Sequence, residues 1–467
     1  MGMKATLPPR KVRKRFSITE HLQAEKTENK KEQLTRGYQH RQLDEVVKIV
    51  QEYLKATEGT AEEQDEQKEM IHQAGLGNPT AQEKVKALIR QIIYDKMLYA
   101  EIGQLQERMS LPDAVFALTV GAGYIEDLYK GKDIEEVQVN STSIYVMKDG
   151  VATPFPRKFD SVDQVIRLQE RLALYGRARI NEQNPICHTY MYNKARLTMT
   201  QSPYSAFPTI AIRNFILKDP SLTTLIDRGT LDEPMAALLA LLVLYHASII
   251  VAGGTKTGKT TTLYALAKEI PVVERVLTLE TEFEMMLHER LPGRNIVPFQ
   301  ALPEHNISME EAFKPLLRES PDRIIVGEIR GSEASQAVQA ALRGHDTMVS
   351  LHSKYRSMIV TDIMDMVKQD GRTHDDTMLK NRIGRAFNIV VFQRFIKINE
   401  YKNRRVMTEI TEIVPTESGE IEMRPLFIWN QQGNHWERTE HKISSELMEH
   451  MVGYGATIEE FRELGFY

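Results

Sequence analysis

The sequence predicts an α/β protein in which helices cover a parallel sheet, preceded by a smaller α/β domain. From Pro234 to about Pro415, apolar strand-like runs alternate with helix-like runs, which is typical of a parallel sheet with helical crossovers. Within that region the apolar run Ser248–Ala252 leads through a glycine-rich loop into the helix-like Thr261–Ile270. Between about Pro112 and Asn214, short strand and helix patterns are mixed. We therefore expect two α/β regions.

Length and composition set the class of protein. The chain has 467 residues, too many for one core, so two or three domains are expected. A hydrophobic content of 42% and a charged content of 27% are ordinary for a soluble globular protein. The net charge of −4 argues against a chain that mainly coats nucleic acid. The single cysteine, Cys187, cannot form an internal disulfide, which suits a reducing cytosol.

One apolar stretch, Met235–Ala252, is long enough to suggest a membrane helix. Tyr245, His246 and Ser248 interrupt it, and it runs directly into the glycine-rich loop. A buried helix over Met235–Tyr245 followed by a buried strand explains both halves. No apolar segment follows the basic KVRKRF near the start, so we expect no secretory signal and a cytoplasmic protein.

The first 110 residues divide into a basic arm and a helical extension. Residues 1–35 have many charges and few large apolar side chains, which predicts a flexible basic arm. Such an arm can touch anionic lipid or nucleic acid, although a solvated tail is the simpler interpretation. Residues 36–110 predict helices over Val46–Leu54 and Lys84–Ile102. Between them, Thr57–Glu69 is either a solvated helix face or a linker.

Residues 111–218 predict the small α/β domain, 219–234 a linker, and 235–467 the larger domain with a helical end. Turn residues separate two alternating runs and predict a hairpin, and a serine precedes an amphipathic helix. The elements predicted for the small domain are a hairpin of Glu135–Asn140 with Ser143–Lys148, a helix over Ser161–Gly176, and strands over Ala195–Thr200 and Thr209–Arg213.

The glycine-rich loop carries the most specific chemical signal. Gly253–Thr260 reads GGTKTGKT, a complete G-x-x-x-x-G-K-T between a strand and a helix. In this context, backbone N–H groups and the helix N-terminus form a cradle for nucleotide phosphates. Lys259 is expected to reach the β- and γ-phosphates, and the Thr260 hydroxyl to bind Mg²⁺. The alternative is a glycine-rich turn without a ligand. The predicted nucleotide contacts are Gly254, Thr255, Lys256, Thr257, Gly258, Lys259, Thr260 and Thr261.

Two acidic residues at strand ends are candidates for hydrolysis chemistry. Glu328 follows the apolar Ile324–Val326, and Glu280 ends the run Arg275–Glu280. In open parallel sheets the ligand lies at the carboxyl ends of the strands. A carboxylate there can position the water that attacks the γ-phosphate. The alternative, an acidic strand end without a role, is stronger for Glu280 because the adjacent TEFE offers further carboxylates.

Two histidines, His345 and His352, bracket the strand-like Thr347–Leu351. A histidine at a strand end beside phosphates can donate a hydrogen bond to the γ-phosphate. Taken alone, each histidine is more often an ordinary polar residue. No further cluster of histidine or cysteine has the spacing of a metal site.

Four segments in this order carry a family resemblance: GGTKTGKTT, LETEFEM, LLRESPDRIIVGEIRG and RGHDTMVSLHS. The series resembles the secretion ATPase superfamily, the traffic ATPases of type II and type IV secretion and of pilus assembly. Within that superfamily it looks most like the CpaF/TadA-type ATPases of Tad pili and their conjugation relatives. The likeness extends over roughly Ala81–Tyr467.

The resemblance implies a RecA-like P-loop NTPase domain preceded by a PAS-like N-terminal domain, with ATP and Mg²⁺ as ligands. It implies that Lys259 and Thr260 bind phosphate and Mg²⁺. Glu280 matches the acidic box. Glu328 matches the Walker B glutamate, which would hold Mg²⁺ through water. His345 and His352 match the histidine box; Arg213 and Arg196 match arginines that reach the nucleotide; Arg318 and Arg330 lie beside Walker B.

Four positions in three motifs depart from the family pattern. Thr281 follows Glu280 where the acidic box usually has Asp, and Glu282 is the neighbour expected to compensate in part. Lys256 stands where the family commonly has Gly or Ser. Bulky Thr347 and Met348 replace small residues in the histidine box. These departures concern the rate and coupling of hydrolysis more than nucleotide binding.

The function predicted is a homo-hexameric ATPase motor, peripheral at the inner face of the cell membrane. It would power pilus assembly, protein secretion or conjugative transfer through inner-membrane platform or channel proteins. One alternative is a RecA-like nucleic-acid motor, which needs a basic, aromatic-bearing track that the sequence does not show. The other is a nucleotide-binding scaffold with low turnover, which the altered acidic box permits.

Overall fold

The computed structural model describes residues 38–56, 60–214, 219–400, 402–416 and 418–467. The predicted basic arm, residues 1–35, lies outside the described residues. The chain divides into two compact units. The first contains described residues up to 147 together with 152–214, and the second contains 148–151 together with the described residues from 219 onward. This division does not test the predicted domain boundaries, which stay predictions.

The first unit begins with helices whose apolar stripes form their own core around Val46, Val85 and Ile89. Thr60 caps the second helix with a reciprocal capping box to Glu63, so the ambiguous charged segment is helical from residue 61. The third helix ends well before residue 102, and a short strand follows it. The helices of the unit are α1 (Leu43–Lys55), α2 (Ala61–Leu76), α3 (Pro79–Asp95), α4 (Leu111–Thr119) and α5 (Val162–Tyr175), and two short parallel strands are β1 (Gln39–His40) and β2 (Leu98–Tyr99).

A six-stranded sheet in the order β5-β4-β3-β8-β7-β6 forms the rest of the first unit's described residues. The predicted hairpin is present, with Asn140 paired to Ser143. Ser161 caps the predicted helix by accepting a hydrogen bond from the Gln164 N–H. The strands are β3 (Glu136–Asn140), β4 (Ser143–Lys148), β5 (Val151–Lys158), β6 (Ile186–Tyr190), β7 (Arg196–Thr200) and β8 (Thr209–Arg213).

In the described residues of the second unit, nine strands form one sheet in the order β11-β10-β12-β13-β9-β14-β15-β16-β17. Neighbouring strands are parallel from β11 to β14 and antiparallel from β14 to β17. The strands are β9 (Ile249–Gly253), β10 (Val276–Glu280), β11 (Ile296–Gln300), β12 (Arg323–Val326), β13 (Asp346–His352), β14 (Ile389–Asn399), β15 (Lys402–Pro415), β16 (Ile421–Asn430) and β17 (His435–Arg438).

Helices cover both faces of this sheet, which explains its continuous apolar strands. Ile249 and Val251 of β9 join one core, whereas Ile250 and Ala252 join the other. The helices are α6 (Leu222–Asp227), α7 (Glu233–Leu244), α8 (Lys259–Lys268), α9 (Leu287–Arg290), α10 (Met309–Leu316), α11 (Glu333–Leu342), α12 (Ile359–Lys368), α13 (Asp376–Ala386), α14 (Ser445–Gly453) and α15 (Ile458–Glu463). Short 3₁₀ turns cover Gly103–Leu105, Gly123–Ile125, Pro303–His305 and Arg356–Met358.

The apolar stretch Met235–Ala252 divides into α7 and β9, as predicted. Among the described residues, no helix has the length and apolar character needed to cross a membrane. The stretch 219–234 differs from a simple linker, because it contains α6 and the start of α7. Ser221 and Thr224 form a capping box that starts α6, and Leu222 and Leu225 are buried in the core.

The amino ends of the parallel strands carry a buried ionic network. Arg323 at the start of β12 donates from Nε to Glu274 Oε2 at 2.6 Å. His246 lies 3.4 Å from Glu274 through Nε2 and bonds Asp346 through Nδ1. The Tyr454 ring stacks on His246 at a centroid distance of 3.7 Å. The network therefore ties the segment after α14 to the strand ends.

Candidate nucleotide-binding site

The candidate site lies where the parallel strands of the second unit's sheet have their carboxyl ends, here called the carboxyl edge. β9 ends at Gly253, where the glycine-rich loop begins, and β13 ends at His352. The two strands are parallel neighbours, and His352 pairs with Gly253 in their register. β12 ends on the other side of β13, immediately before Gly327 and Glu328. The topology therefore brings distant motifs to one edge.

The loop backbone requires glycine at its ends. Gly253 has φ 155°, and a Cβ there would lie 2.3 Å from the Gln393 carbonyl oxygen. Gly258 caps α8 with φ 98°. Lys256 adopts the left-handed conformation as well, with φ 63°. A non-glycine residue is strained there, which gives a physical reason why glycine suits this position.

Lys259 is buried, and its ammonium group lies inside the curve of the loop. Its Nζ donates to the Gly254 carbonyl at 3.0 Å and to the Gly253 carbonyl at 3.3 Å. The same Nζ lies 3.3 Å from both ring nitrogens of His352. Thr257 closes the loop by donating from Oγ1 to the Gly254 carbonyl. A buried cation is therefore held where the sequence predicts phosphate.

Glu328 lies beside this cation. Arg330 Nη2 donates to Glu328 Oε2 at 2.7 Å, and His352 Nε2 is 3.1 Å from Oε1. Burial would raise the pKa of Glu328, but Arg330, His352 and Lys259 together hold the pKa below its ordinary value. The His352 contact lies at ion-pair distance but does not form a hydrogen bond, so Oε1 is buried without a hydrogen bond from the described residues. The carboxylate therefore retains an unused acceptor facing the cluster.

His352 is half-exposed, and its pKa is lowered, first by burial and then by the Lys259 charge, with Glu328 opposing. A lowered pKa makes the neutral imidazole the main form at neutral pH. A neutral ring both donates and accepts a hydrogen bond. His352 can therefore bridge Glu328 and a phosphate.

Glu280 ends β10 on the far side of β12, with its Cγ against Gly327. Its Oε2 accepts hydrogen bonds from the backbone N–H of Glu284 at 2.9 Å and of Met285 at 3.0 Å. Burial raises the pKa of Glu280 to about 7, although these backbone donors oppose it. Glu280 therefore orders the segment that follows it.

That ordered segment supplies Glu284, a site residue that sequence reasoning did not single out. The Thr260 hydroxyl donates to Glu284 Oε2 at 3.3 Å. The only signal for it was the group of carboxylates in LETEFEM, which could not be ranked without a fold. Thr281 is exposed, and its carbonyl accepts from Gln300. The compensation predicted for Glu282 stays a prediction.

His345 is not brought to the loop. It precedes β13, whereas His352 ends it, and the two ends of one strand lie at opposite edges of a sheet. His345 Nδ1 instead lies 3.2 Å from the Pro321 carbonyl, just before β12. The structure therefore does not support the phosphate contact predicted for His345 within this chain.

Two residues from the C-terminal strands also reach the loop. Gln393 is buried next to Gly253 on β14, and its Nε2 donates to Thr262 Oγ1 at 2.6 Å. Arg405 on β15 donates from Nε to the Lys256 carbonyl at 3.0 Å. Both lie more than a hundred residues from their partners in sequence, 131 and 149 respectively, so no short motif predicts them.

The predicted arginines belong to different places. In the first unit, Arg213 on β8 pairs directly with Arg196 on β7 and with Glu136 on β3. Directly paired residues share a face of the sheet, so the side chains of Arg213 and Arg196 project from the same face. In the second unit, Arg330 contacts Glu328, and Arg318 is exposed after α10. The nucleotide contact predicted for Arg213 stays a prediction.

The residues at the edge fit a magnesium nucleotide. Thr260 lies in the first turn of α8 and offers a hydroxyl oxygen, and Glu284 and Glu328 offer carboxylate oxygens. Hard oxygen ligands are those that Mg²⁺ prefers. The unused acceptor of Glu328 and the glycine cradle at Gly253 add room and polarity for phosphate and water.

The fold and the site together define the class of P-loop nucleotide-binding proteins with a Walker B glutamate. The model of the family described as "Type II/IV secretion system protein" matches residues 136–446. The chain belongs to this family. The match confirms the predicted secretion ATPase superfamily and, with the structure, the predicted RecA-like α/β class.

Curated relatives match in part. An uncharacterized Methanocaldococcus jannaschii protein, MJ1287, is 32% identical over 219 residues, which is 46% of this chain and 77% of the relative. Another, MJ0781, is 29% identical over 252 residues, or 50% of this chain, and the match spans only 34% of that relative's length. The type II secretion system ATPase E of Vibrio cholerae is 38% identical over 123 residues, covering 26% of this chain and 23% of the relative.

Solved structures are similar at low identity. The Yersinia pseudotuberculosis ATPase DotB has a TM-score of 0.49 at 15% identity, covering 75% of this chain and 84% of that chain. The VirB11 ATPase of the Brucella suis type IV secretion system has a TM-score of 0.34 at 21% identity, covering 61% of this chain and 91% of that chain. The family assignment therefore rests on the sequence match.

Proposed function

We propose that this chain binds ATP with Mg²⁺ at the Gly253–Thr260 loop and hydrolyses it. The observation that carries the proposal is the Glu328 carboxylate, which has one buried oxygen beside Lys259 and His352 that receives no hydrogen bond within the described part of the chain. A buried acceptor of this kind is costly unless a ligand or water supplies the donor. The attacking water is such a donor.

The binding roles follow from the geometry. Lys259 exchanges its contacts with the Gly253 and Gly254 carbonyls for the β- and γ-phosphate oxygens. Thr260 and Glu284, whose side chains contact each other, would hold Mg²⁺. When bound, Mg²⁺ neutralises charge on the β- and γ-phosphates. Arg213 keeps its predicted role of neutralising phosphate charge.

In the chemical step, water attacks the γ-phosphorus while the bond from that phosphorus to the ADP oxygen breaks, and the water proton passes to a phosphate oxygen, so ADP and inorganic phosphate leave. Glu328 orients that water through its free oxygen, and its lowered pKa favours orientation over proton removal. His352 lies between Glu328 and Lys259 and donates to the γ-phosphate. Glu280 acts indirectly, because its two backbone hydrogen bonds position the segment that carries Glu284.

At the level of assembly, we propose a homo-hexamer peripheral to the inner face of the cell membrane. Domain movements during hydrolysis would drive pilus assembly, protein secretion or conjugative transfer through inner-membrane platform or channel proteins. Family membership supports this proposal, as does similarity to a named type II secretion ATPase. A mass measurement in solution with a non-hydrolysable ATP analogue tests it, and a monomer at all concentrations would contradict it.

The test of hydrolysis compares the wild type with Glu328→Gln. We expect phosphate release to fall about 100-fold, because misplacing a reacting group by about 1 Å costs roughly that factor. ATP binding should persist, since Lys259 and Thr260 are unchanged. Glu311→Gln on the exposed face of α10 is the control, because its exposed carboxylate pairs with exposed Lys314. Equal rates in the wild type and Glu328→Gln would favour the low-turnover scaffold, and DNA-dependent stimulation the nucleic-acid motor.

A further inference from the structure

The glycine-rich loop contains a strained residue whose conformation is held from outside the loop. Lys256 has φ 63°, a backbone conformation that is energetically unfavourable for residues with a Cβ. Its carbonyl oxygen accepts a hydrogen bond from Arg405 Nε at 3.0 Å. Arg405 Cδ also lies next to Gly258, since a Cβ added at Gly258 would lie 3.4 Å from that atom. The contact therefore spans the part of the loop that precedes α8.

The Arg405 side chain is itself fixed. Its residue pairs directly with Phe395 across β14 and β15, and the guanidinium carbon lies 5.0 Å from the Phe395 ring centroid. Stacking of a guanidinium on an aromatic ring limits its rotation and adds a cation–π attraction. Nε is the nitrogen closest to the backbone, so the bond to Lys256 uses the least mobile donor of the side chain.

The bond to Lys256 sets the direction of a peptide group in the phosphate cradle. In a trans peptide, the carbonyl of Lys256 and the N–H of Thr257 point in opposite directions. Because the carbonyl is held toward Arg405, the Thr257 N–H points away from it. A phosphate cradle depends on the directions of such N–H groups. Rotation of this one peptide group would replace a donor with a carbonyl oxygen.

We propose that Arg405 is a positioning residue for nucleotide binding, which holds the Lys256–Thr257 peptide in its phosphate-binding orientation. Glycine at 256 would adopt φ 63° without strain, whereas Lys256 needs the external bond. The proposal rests on the proposed ATP binding, and it assigns to β15 a part in forming the loop. It also explains how the chain tolerates lysine at this position.

Two substitutions separate position from charge. Lysine keeps the positive charge of Arg405 but has a methylene where arginine has Nε–H. Glutamine loses the charge but places its Nε2 donor at the same distance along the side chain. If Arg405 acts by position, Arg405→Lys is the defective variant and Arg405→Gln is close to the wild type. If Arg405 attracts phosphate by charge, the order is reversed.

The experiment measures the Kd of a non-hydrolysable ATP analogue with Mg²⁺ on the full chain by calorimetry. We expect Arg405→Lys to weaken binding about tenfold, which is the population shift that matches the strain of one left-handed residue. Arg405→Gln should stay within about threefold of the wild type. Adding Lys256→Gly to Arg405→Lys should restore binding to within about threefold, because glycine removes the strain. Turnover at saturating ATP should change little in Arg405→Lys.

The outcomes are distinguishable from those of the proposed function. If the wild type binds the analogue and Arg405→Lys binds it equally well, the role of Arg405 is overturned but ATP binding is not. A defect in Arg405→Gln with a normal Arg405→Lys would also overturn it, in favour of a charge effect. Failure of Lys256→Gly to rescue would do the same. No analogue binding by the wild type would overturn ATP binding itself and this role with it.

Discussion

Buried charges differ between the amino edge of the second unit's sheet, where the parallel strands begin, and the carboxyl edge, where they end. Strand β10 shows both cases. Glu274 lies just before β10, where burial would raise its pKa, but His246 and Arg323 hold the pKa at about 2. Glu280 ends the same strand, where burial prevails and raises its pKa to about 7. A few residues therefore separate a fully paired carboxylate from one that resists ionisation.

This difference separates a stabilising edge from a binding edge. At the amino edge, the charges of Arg323, Glu274 and His246 are satisfied within the chain. At the carboxyl edge, one Glu328 oxygen lacks a hydrogen bond from the described residues, and Lys256 has a strained backbone. Unmet bonds and strain at a ligand site reduce stability until a ligand compensates for them. The predictions below test this contrast.

The largest effect is expected at the amino edge from Arg323→Ala. The substitution leaves Glu274 buried without its closest cation, which costs about 3–5 kcal/mol for a broken buried pair. Urea unfolding at neutral pH measures the loss. Arg385→Ala is the control, since Arg385 pairs with Glu446 at an exposed site and should cost less than about 1 kcal/mol. Equal losses would remove the distinction between the paired edge and the surface.

The next effect is a pH dependence at Glu280. A folded pKa of about 7 exceeds the ordinary value of 4.5, so its stabilising contribution is present below pH 4.5 and lost as pH rises through 7. Glu280→Gln removes this term. The free energy of unfolding of Glu280→Gln minus that of the wild type should increase by about 3 kcal/mol between pH 4.5 and pH 8.

Urea unfolding at both pH values measures this difference. Glu274 does not interfere, because its contribution is present above pH 4.5 and is lost only as pH falls toward 2. A difference between variant and wild type that does not change with pH would contradict the burial assigned to Glu280.

The smallest effect compares the two histidines of β13. His352→Asn should lower ATP turnover about tenfold, because it removes a hydrogen bond to a charged group at the loop. His345→Asn should change turnover less than about twofold, since this residue lies at the other edge of the sheet. Phosphate release at saturating ATP measures both. A larger loss of turnover for His345→Asn would indicate that His345 acts at the nucleotide site.

Local patterns in the sequence predicted the loop, the strand before Glu328 and the hairpin at Asn140 well, because each depends on neighbouring residues. The end of α3 was placed too late, since apolar periodicity continues into β2. His345 and His352 look equivalent in a linear motif, and only the strand direction separates them.

Contacts between distant strands were beyond sequence reasoning. Gln393 and Arg405 reach the loop because β14 pairs with β9 and β15 pairs with β14. No spacing rule links them to the loop, and the strain at Lys256 is visible only in its backbone angle. Glu284 likewise becomes distinct only when Glu280 folds its segment toward Thr260.

Strand β14 extends well beyond the glycine-rich loop. Gln393 pairs with Gly253, and β14 continues to Asn399, six residues further. At about 3.3 Å per residue, the hairpin with β15 extends roughly 20 Å beyond the phosphate cradle. A tilt of about 5° at the loop would then move the hairpin tip by roughly 2 Å, given that 20 Å reach. A movement of the cradle that tilts β14 would therefore be largest at the tip of this hairpin.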